Sequence, residues 1–231
     1  MPKTILVVGY GPGVSSAMAE RFGAAGYAVA LVGRTEAKLA AGVEALKAKG
    51  VTAAAFPTDA GDPAAIRGAV EKTRAALGPI GVIHWNAFGG HGVEDLMTAD
   101  PSALARLFDV ALVGLVAAVQ AALPDLKAAG DGAVLVTNGA FGELNPMIDN
   151  LALMLKEMGV PLGNAAKAKL VGLLAARLKG EGVYVGEVTI AGVVRGTGYD
   201  GADMPTIDPA DIAAAFWRLF TARDEIRARV G

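Results

Sequence analysis

The chain has 231 residues, 53% of them hydrophobic, and a formal net charge of −2, so it can bury one large core and has no basic field to hold nucleic acid. It has no cysteine and only two histidines, which excludes disulfides, thiolate catalysis and cysteine-ligated zinc and leaves too few imidazoles for a histidine-built metal centre. Met1-Pro2-Lys3 runs straight into a strand without a signal-peptide layout, so a soluble cytoplasmic protein is expected.

Lys3 to Ser15 reads KTILVVGYGPGVS: an apolar β-branched run, three glycines, then the start of a helix. From there strands and helices alternate. Strands are predicted at Thr4–Val8, Ala28–Val32, Thr52–Phe56, Gly81–Trp85, Ala133–Thr137 and Tyr184–Ile190. Helices are predicted at Val14–Ala25, Glu36–Lys49, Pro63–Leu77, Pro101–Ala129 and Leu162–Lys179, and a last one at Pro209–Phe220 starts after Asp208, a residue suited to cap it. Glu225–Val230 alternates polar and apolar residues and predicts a half-exposed edge strand. This pattern is that of βαβ units. It predicts one doubly wound α/β domain over residues 1–231, of Rossmann type, with a seven-stranded, mainly parallel sheet in the order 3-2-1-4-5-6-7. Around Leu104–Leu123 apolar residues occupy nearly every helix face, so something besides the sheet must cover it. A partner subunit or an insertion could supply the cover, and a homodimer or homotetramer is expected. Val110–Pro124 carries no charge over its fifteen residues, which is short for a bilayer span, so no membrane partner is expected.

The glycine loop suits a dinucleotide pyrophosphate. Gly9 turns the chain off the strand, Gly11 and Gly13 let bare backbone approach an anion, and the unpaired amides at Val14 and Ser15 open the helix. Glycine-rich turns also join strands to helices for packing alone, so the loop needs support from the rest of the chain. Arg34 follows the second strand about twenty residues on, where an acid usually takes the ribose 2′-hydroxyl of NAD; an arginine there suits the 2′-phosphate of NADP instead, with Thr35 adding a hydroxyl. Glu36 keeps NAD as the alternative. Asp59 ends the third strand and is placed to accept the adenine amino group, or else to cap the next turn. Asn86 ends the fourth strand and is expected to pin the turn, and the small residues Ala87, Gly89 and Gly90 let the chain pass the adenine ribose.

These residues resemble the short-chain dehydrogenase/reductase family along nearly the whole chain. Gly9 and Gly13 match the family's Gly-x-x-x-Gly-x-Gly, with Ser15 in place of the last glycine. Asp59 matches its adenine-contacting aspartate, and Asn86-Ala87 matches part of Asn-Asn-Ala-Gly, with Trp85 and Phe88 replacing its ends. Thr189 to Thr197 is similar to the Pro-Gly segment after the sixth strand, with Ala191 in place of proline, so the resemblance implies nicotinamide contacts from Gly192, Val193 and Thr197. Relatives use a tyrosine four residues before a lysine as proton donor, a serine after the fifth strand and an asparagine in the fourth helix. Here the lysine is Lys167, but the tyrosine position is Gly163, the serine position falls on Gly139 or its neighbour, and the asparagine position is Ala111. No Tyr-x-x-x-Lys occurs anywhere, and no serine follows Ser102. With the phenol gone, Lys167 is expected to hold the nicotinamide ribose.

A reductase must still protonate the oxygen left by hydride transfer. The weak candidates are His91 on the loop after the fourth strand, Asn138 at the end of the fifth, which can polarise a carbonyl without releasing a proton, and Tyr199 in a Gly/Asp-rich loop. Glu143 and Asp149 follow the fifth strand, while His84 lies inside the fourth and reads as a hydrogen-bonded core residue. The stretch around Lys167 also resembles enoyl reductases of the same superfamily, whose tyrosine, seven residues before the lysine, would fall on Val160. The expected function is an atypical NADP-dependent oxidoreductase of unknown substrate. Its rivals are a silent cofactor-binding sensor or partner subunit, and a purely structural protein. Substrate shape is expected to come from the segments Phe88–Thr98, Phe141–Pro161 and Arg195–Thr206.

Overall fold

The computed structural model describes residues 3–89, 92–198 and 205–231; His91 and Tyr199 lie outside them. The elements run β1 (Thr4–Val8), α1 (Val14–Ala24), β2 (Ala28–Gly33), α2 (Glu36–Ala48), β3 (Ala53–Pro57), α3 (Pro63–Leu77) and β4 (Ile80–Trp85). They continue with α4 (Pro101–Phe108), α5 (Gly114–Ala128), β5 (Ala133–Gly139), α6 (Pro146–Leu155), α7 (Gly159–Leu178) and β6 (Tyr184–Ile190), and end with β7 (Val193–Val194), β8 (Thr206–Ile207), α8 (Pro209–Ala222) and β9 (Arg227–Val230). Seven strands form one sheet in the order β3-β2-β1-β4-β5-β6-β9, and every pair in it is parallel, the C-terminal edge strand included. The predicted order holds.

The sheet is buried on both faces, which is why β1 reads as an unbroken apolar run rather than an alternating one. Leu6, Val8 and Ile83 point to one core with Ile66 and Val70 of α3, Leu115 and Ala118 of α5 and Val171 of α7. Ile5, Val7 and Leu31 point to the other with Met18 and Phe22 of α1, Leu39 of α2 and Phe216 of α8. Phe22 anchors that second layer, its ring 5.2 Å from Tyr27 and from Trp217 and 5.3 Å from Phe220, each such pair contributing about 0.5–1.5 kcal/mol beyond area burial.

The fold departs from the sequence expectation in three places. The helix predicted over Pro101–Ala129 is interrupted by a π-helical turn at Asp109–Val113, after which the chain passes so close to β3's exit that a Cβ on Gly114 would overlap the Ala60 carbonyl oxygen. By length and composition the continuous run Pro101–Ala128 could cross a membrane, yet 44% of its most apolar window is buried inside the protein. The segment after β5, expected as a loop, contains α6. Its local signals are clear once seen: Asn145 accepts from the Met147 amide at 3.0 Å, Pro146 holds the first helical position, and Lys156 ends the helix at φ 55°. The third departure is the parallel ribbon of β7 and β8, which ties the segment after β6 to the entrance of α8.

Candidate cofactor and active site

The glycine loop is built from the sheet outward. The Gly9 and Tyr10 amides both donate to the Val32 carbonyl, at 2.9 and 3.0 Å, turning the chain off β1. Gly9 adopts φ 84° and Gly13 φ 88°, a region that side chains avoid, and a Cβ at Gly9 would run into the Ala87 backbone. Asn86 donates through Nδ2 to the Gly9 carbonyl at 3.3 Å, so it pins the turn as expected. Gly11 has open space on its exposed side. The Ser15 hydroxyl is wholly buried; it accepts from the Gly11 amide and donates to the Gly11 carbonyl, both at 2.9 Å. Ser15 therefore shapes the loop from behind. The first turn of α1 holds no acidic residue, and no side chain caps it at Gly13, which leaves amides at Val14 and beyond for an anion.

The rest of the cradle lies along the carboxyl ends of the strands, where doubly wound sheets bind ligands. Arg34 is exposed at the end of β2 and makes no hydrogen bond or ion pair among the described residues. Thr35 precedes α2 without a side-chain cap bond, so its hydroxyl is also uncommitted. One Asp59 oxygen accepts the Gly61 amide at 2.9 Å, which is the turn-capping alternative, while the other makes no hydrogen bond among the described residues. Thr197 folds back over the loop: its Oγ1 donates to the Val194 carbonyl at 2.7 Å and its methyl lies 2.9 Å from where a Gly13 Cβ would sit. Val193 is held in β7, and Gly192 is exposed just before it. A glycine loop, free amides and an uncommitted guanidinium fit a dinucleotide carrying an extra phosphate.

Next to this cradle is a small cleft. One wall is the chain after β4 at Ala87, Phe88 and Gly89; the others are Leu107 and Ala111 before α5 and Gly163, Asn164 and Lys167 on α7. Lys167 is 4% exposed and has no hydrogen-bond acceptor or ion-pair partner among the described residues. Burial lowers its ammonium from the usual 10.5 to about 8, and the Glu187 carboxylate partly opposes that fall. Glu187, 1% exposed on β6, was missed at sequence level, although an acid inside Tyr184–Ile190 is out of place in an apolar strand. Its Oε1 accepts from Asn138 Nδ2 at 3.2 Å and from Thr189 Oγ1 at 3.1 Å, and its Oε2 lies 3.7 Å from Arg227 Nε.

A family model described as short chain dehydrogenase matches residues 3–150, well over half of the chain. The chain belongs to the short-chain dehydrogenase family. Solved structures show the same fold from end to end. L-sorbose reductase from Gluconobacter frateurii, solved with NADPH and L-sorbose, is 20% identical with a TM-score of 0.85, covering 99% of this chain and 95% of that one. A metagenomic short-chain oxidoreductase solved with NADP is 27% identical with a TM-score of 0.76, over 99% and 95%. An NADPH-bound short-chain oxidoreductase from Pseudomonas aeruginosa PAO1, described as containing an atypical catalytic center, is 21% identical with a TM-score of 0.83, over 100% and 97%.

Within this short-chain dehydrogenase the places expected for tyrosine and serine are bordered by other side chains. A Cβ on Gly163 would meet Leu107 Cδ2 at 3.4 Å, so leucine borders the room a tyrosine would take. A Cβ on Gly139 would lie 2.7 Å from Asn164 Nδ2. The expectation that Asn138 polarises a substrate carbonyl is corrected: its amide donates instead to the Asn164 carbonyl at 3.0 Å and to Glu187, so both hydrogens serve the scaffold. Glu143 is paired with Arg229, and Asp149 sits exposed in the first turn of α6. His84 is a core residue as expected, with Nε2 3.0 Å from Thr137 Oγ1.

Proposed function

We propose that this short-chain dehydrogenase is an NADP(H)-dependent oxidoreductase that works without the family's tyrosine. The observation that carries the reading is Lys167, an ammonium kept buried in a cleft beside the glycine loop without a partner among the described residues, a costly arrangement unless a ligand supplies its acceptors. Arg34 supports NADP over NAD, and NADP(H) in the similar structures named above agrees with it. The bound cofactor would supply or accept a hydride. This chain's residues would seat its pyrophosphate on Gly11, Gly13 and Val14, its 2′-phosphate on Arg34 and Thr35, its adenine at Asp59, its nicotinamide end near Gly192, Val193 and Thr197, and a ribose on Lys167. The Pseudomonas protein, described as an NADPH-bound oxidoreductase containing an atypical catalytic center, supports a reading in which the usual site is altered.

Titrating NADPH while exciting tryptophan in a Trp217→Phe protein, which leaves Trp85 as the emitter, is expected to give saturable energy transfer. No saturable response to NADPH or NADH would reject cofactor binding. A panel of ketones, aldehydes, enones and imines then tests turnover. The rival is a silent cofactor-binding subunit, favoured by the way Asn164 crowds the Gly139 position; oxidation of NADPH by any panel member removes it. We also infer a homo-oligomer, in which a second copy covers the apolar outer face around Leu112, Val113 and Val116.

A further inference from the structure

We propose that Lys167 is itself the proton donor of the reaction, its ammonium protonating the substrate oxygen. This rests on the oxidoreductase reading above. Three observations carry it. Lys167 lines the cleft together with Gly163 and Ala111, two small residues where relatives carry larger polar ones. Among the described residues lining that cleft it is the one with an acidic proton, since Asn164 offers only an amide. Two buried polar groups nearby are engaged elsewhere: Asn138 Nδ2 donates to the Asn164 carbonyl and to Glu187, and Glu187 Oε1 also accepts from Thr189.

Desolvation brings the ammonium into a useful range. An acid works best when its pKa lies near the operating pH, and burial lowers Lys167 to about 8, with Glu187 the one ionised group among the described residues that acts on it, pulling the other way. In the step itself the carbonyl carbon accepts a hydride, with its electron pair, from a reduced nicotinamide, which is thereby oxidised. The C=O π pair moves onto oxygen, an N–H bond of Lys167 breaks and an O–H bond forms. The products are an alcohol and a neutral amine, and the amine regains its proton from water. The reverse oxidation needs the neutral amine.

The experiment has two arms. In the cofactor-free protein, NMR titration of 13C,15N-labelled lysines, with Lys167→Met to assign the signal, is expected to place Lys167 near 8, and Glu187→Gln is expected to move it lower. A midpoint at the ordinary lysine value overturns the proposal. In the second arm, NADPH affinity is read by energy transfer from Trp85, and reduction is followed for an α-diketone, an aromatic ketone and an aliphatic aldehyde. Lys167→Arg keeps a cation for the ribose but cannot release a proton; it is expected to bind NADPH within a few-fold of wild type and to lose at least roughly 100-fold in reduction. Wild-type reduction should fall as pH rises through about 8, and Glu187→Gln should shift that limb down. Reduction by Lys167→Arg within about tenfold of wild type, a limb unmoved in Glu187→Gln, or a comparable loss confined to His91→Gln or Tyr199→Phe overturns the proposal and leaves the oxidoreductase reading standing. If wild type binds NADPH and reduces none of the probes, both fall. Should Lys167→Arg lose its circular dichroism signature, the wild-type profile and Lys167→Met decide.

Discussion

Arg34 and His84 show how differently two side chains of similar chemistry are spent. Arg34 has no partner among the described residues, so removing it costs the fold little and the ligand a great deal. A phosphate held by a guanidinium is worth about 1.5–3 kcal/mol. Arg34→Asp is therefore expected to weaken NADPH by about 10- to 100-fold and to leave NADH nearly unchanged or improved, measured by fluorescence titration of both; unchanged selectivity would remove Arg34 from the 2′-phosphate site. His84 is wholly buried against Phe216, ring centroids 5.2 Å apart, and desolvation holds its pKa down at about 3 against the usual 6.5. The folded protein thus keeps it neutral while the unfolded chain protonates it below 6.5. Its contribution is complete above that pH and is lost, at about 1.4 kcal/mol per pH unit, as the pH falls toward 3. Urea unfolding at pH 7, 6, 5 and 4.5 should show this slope in wild type and a shallower one in His84→Gln. Identical slopes would mean that His84 is hydrated in solution.

At the scale of elements, two helix glycines with opposite surroundings make a paired test. A Cβ on Gly114 would overlap the Ala60 carbonyl oxygen and press on Trp85; Gly114→Ala is expected to cost about 1–3 kcal/mol through forced backbone shifts. Gly163 lies inside α7, and its added Cβ finds only an ordinary contact with Leu107. Gly163→Ala should raise stability by about 0.8–1 kcal/mol through helix propensity, and thermal melts of the two variants should move in opposite directions. The same two positions mark the limits of sequence reading. Strand order and the glycine loop were legible because βαβ alternation and φ-positive glycines are local signals. The π turn at Asp109–Val113 was not, because it precedes a close approach to Ala60, about fifty positions earlier in the chain. α6 escaped because its exposed leucines and methionines break the usual link between apolar residues and burial, although its Asn145-Pro146 start was in plain view. The action of the buried Glu187 charge on Lys167 was hidden for a third reason. It spans a strand and a helix, so neither residue's neighbours in sequence point to the other, and the out-of-place acid was the one clue.

For the whole molecule, the asymmetry of its two helical layers is what argues for assembly. α1 and α8 close over their face with an aromatic cluster in which Arg21 stacks on Trp217 at 4.4 Å from the ring centroid. The layer of α3, α5 and α7 is different. Its outer surface keeps a shallow groove of Leu112, Val113 and Val116 beside Pro63, Arg67 and Gln120, with Val113 42% exposed. Arg67 is already turned to Gln120 at 2.8 Å, so the groove offers an apolar floor with a satisfied polar rim, the pattern of an interface rather than of a solvated helix. Each aliphatic side chain fully covered there contributes about 1.5–3 kcal/mol, and a symmetric dimer counts every one twice. A carboxylate placed in that floor would have to be desolvated without a partner, at a cost of several kcal/mol. Val113→Asp is therefore expected to convert the protein to a monomer in sedimentation velocity while leaving NADPH affinity unchanged, since Val113 faces away from the cleft lined by Ala111 and Lys167. If wild type sediments as a monomer, or the variant keeps the wild-type assembly, this face is not where copies meet.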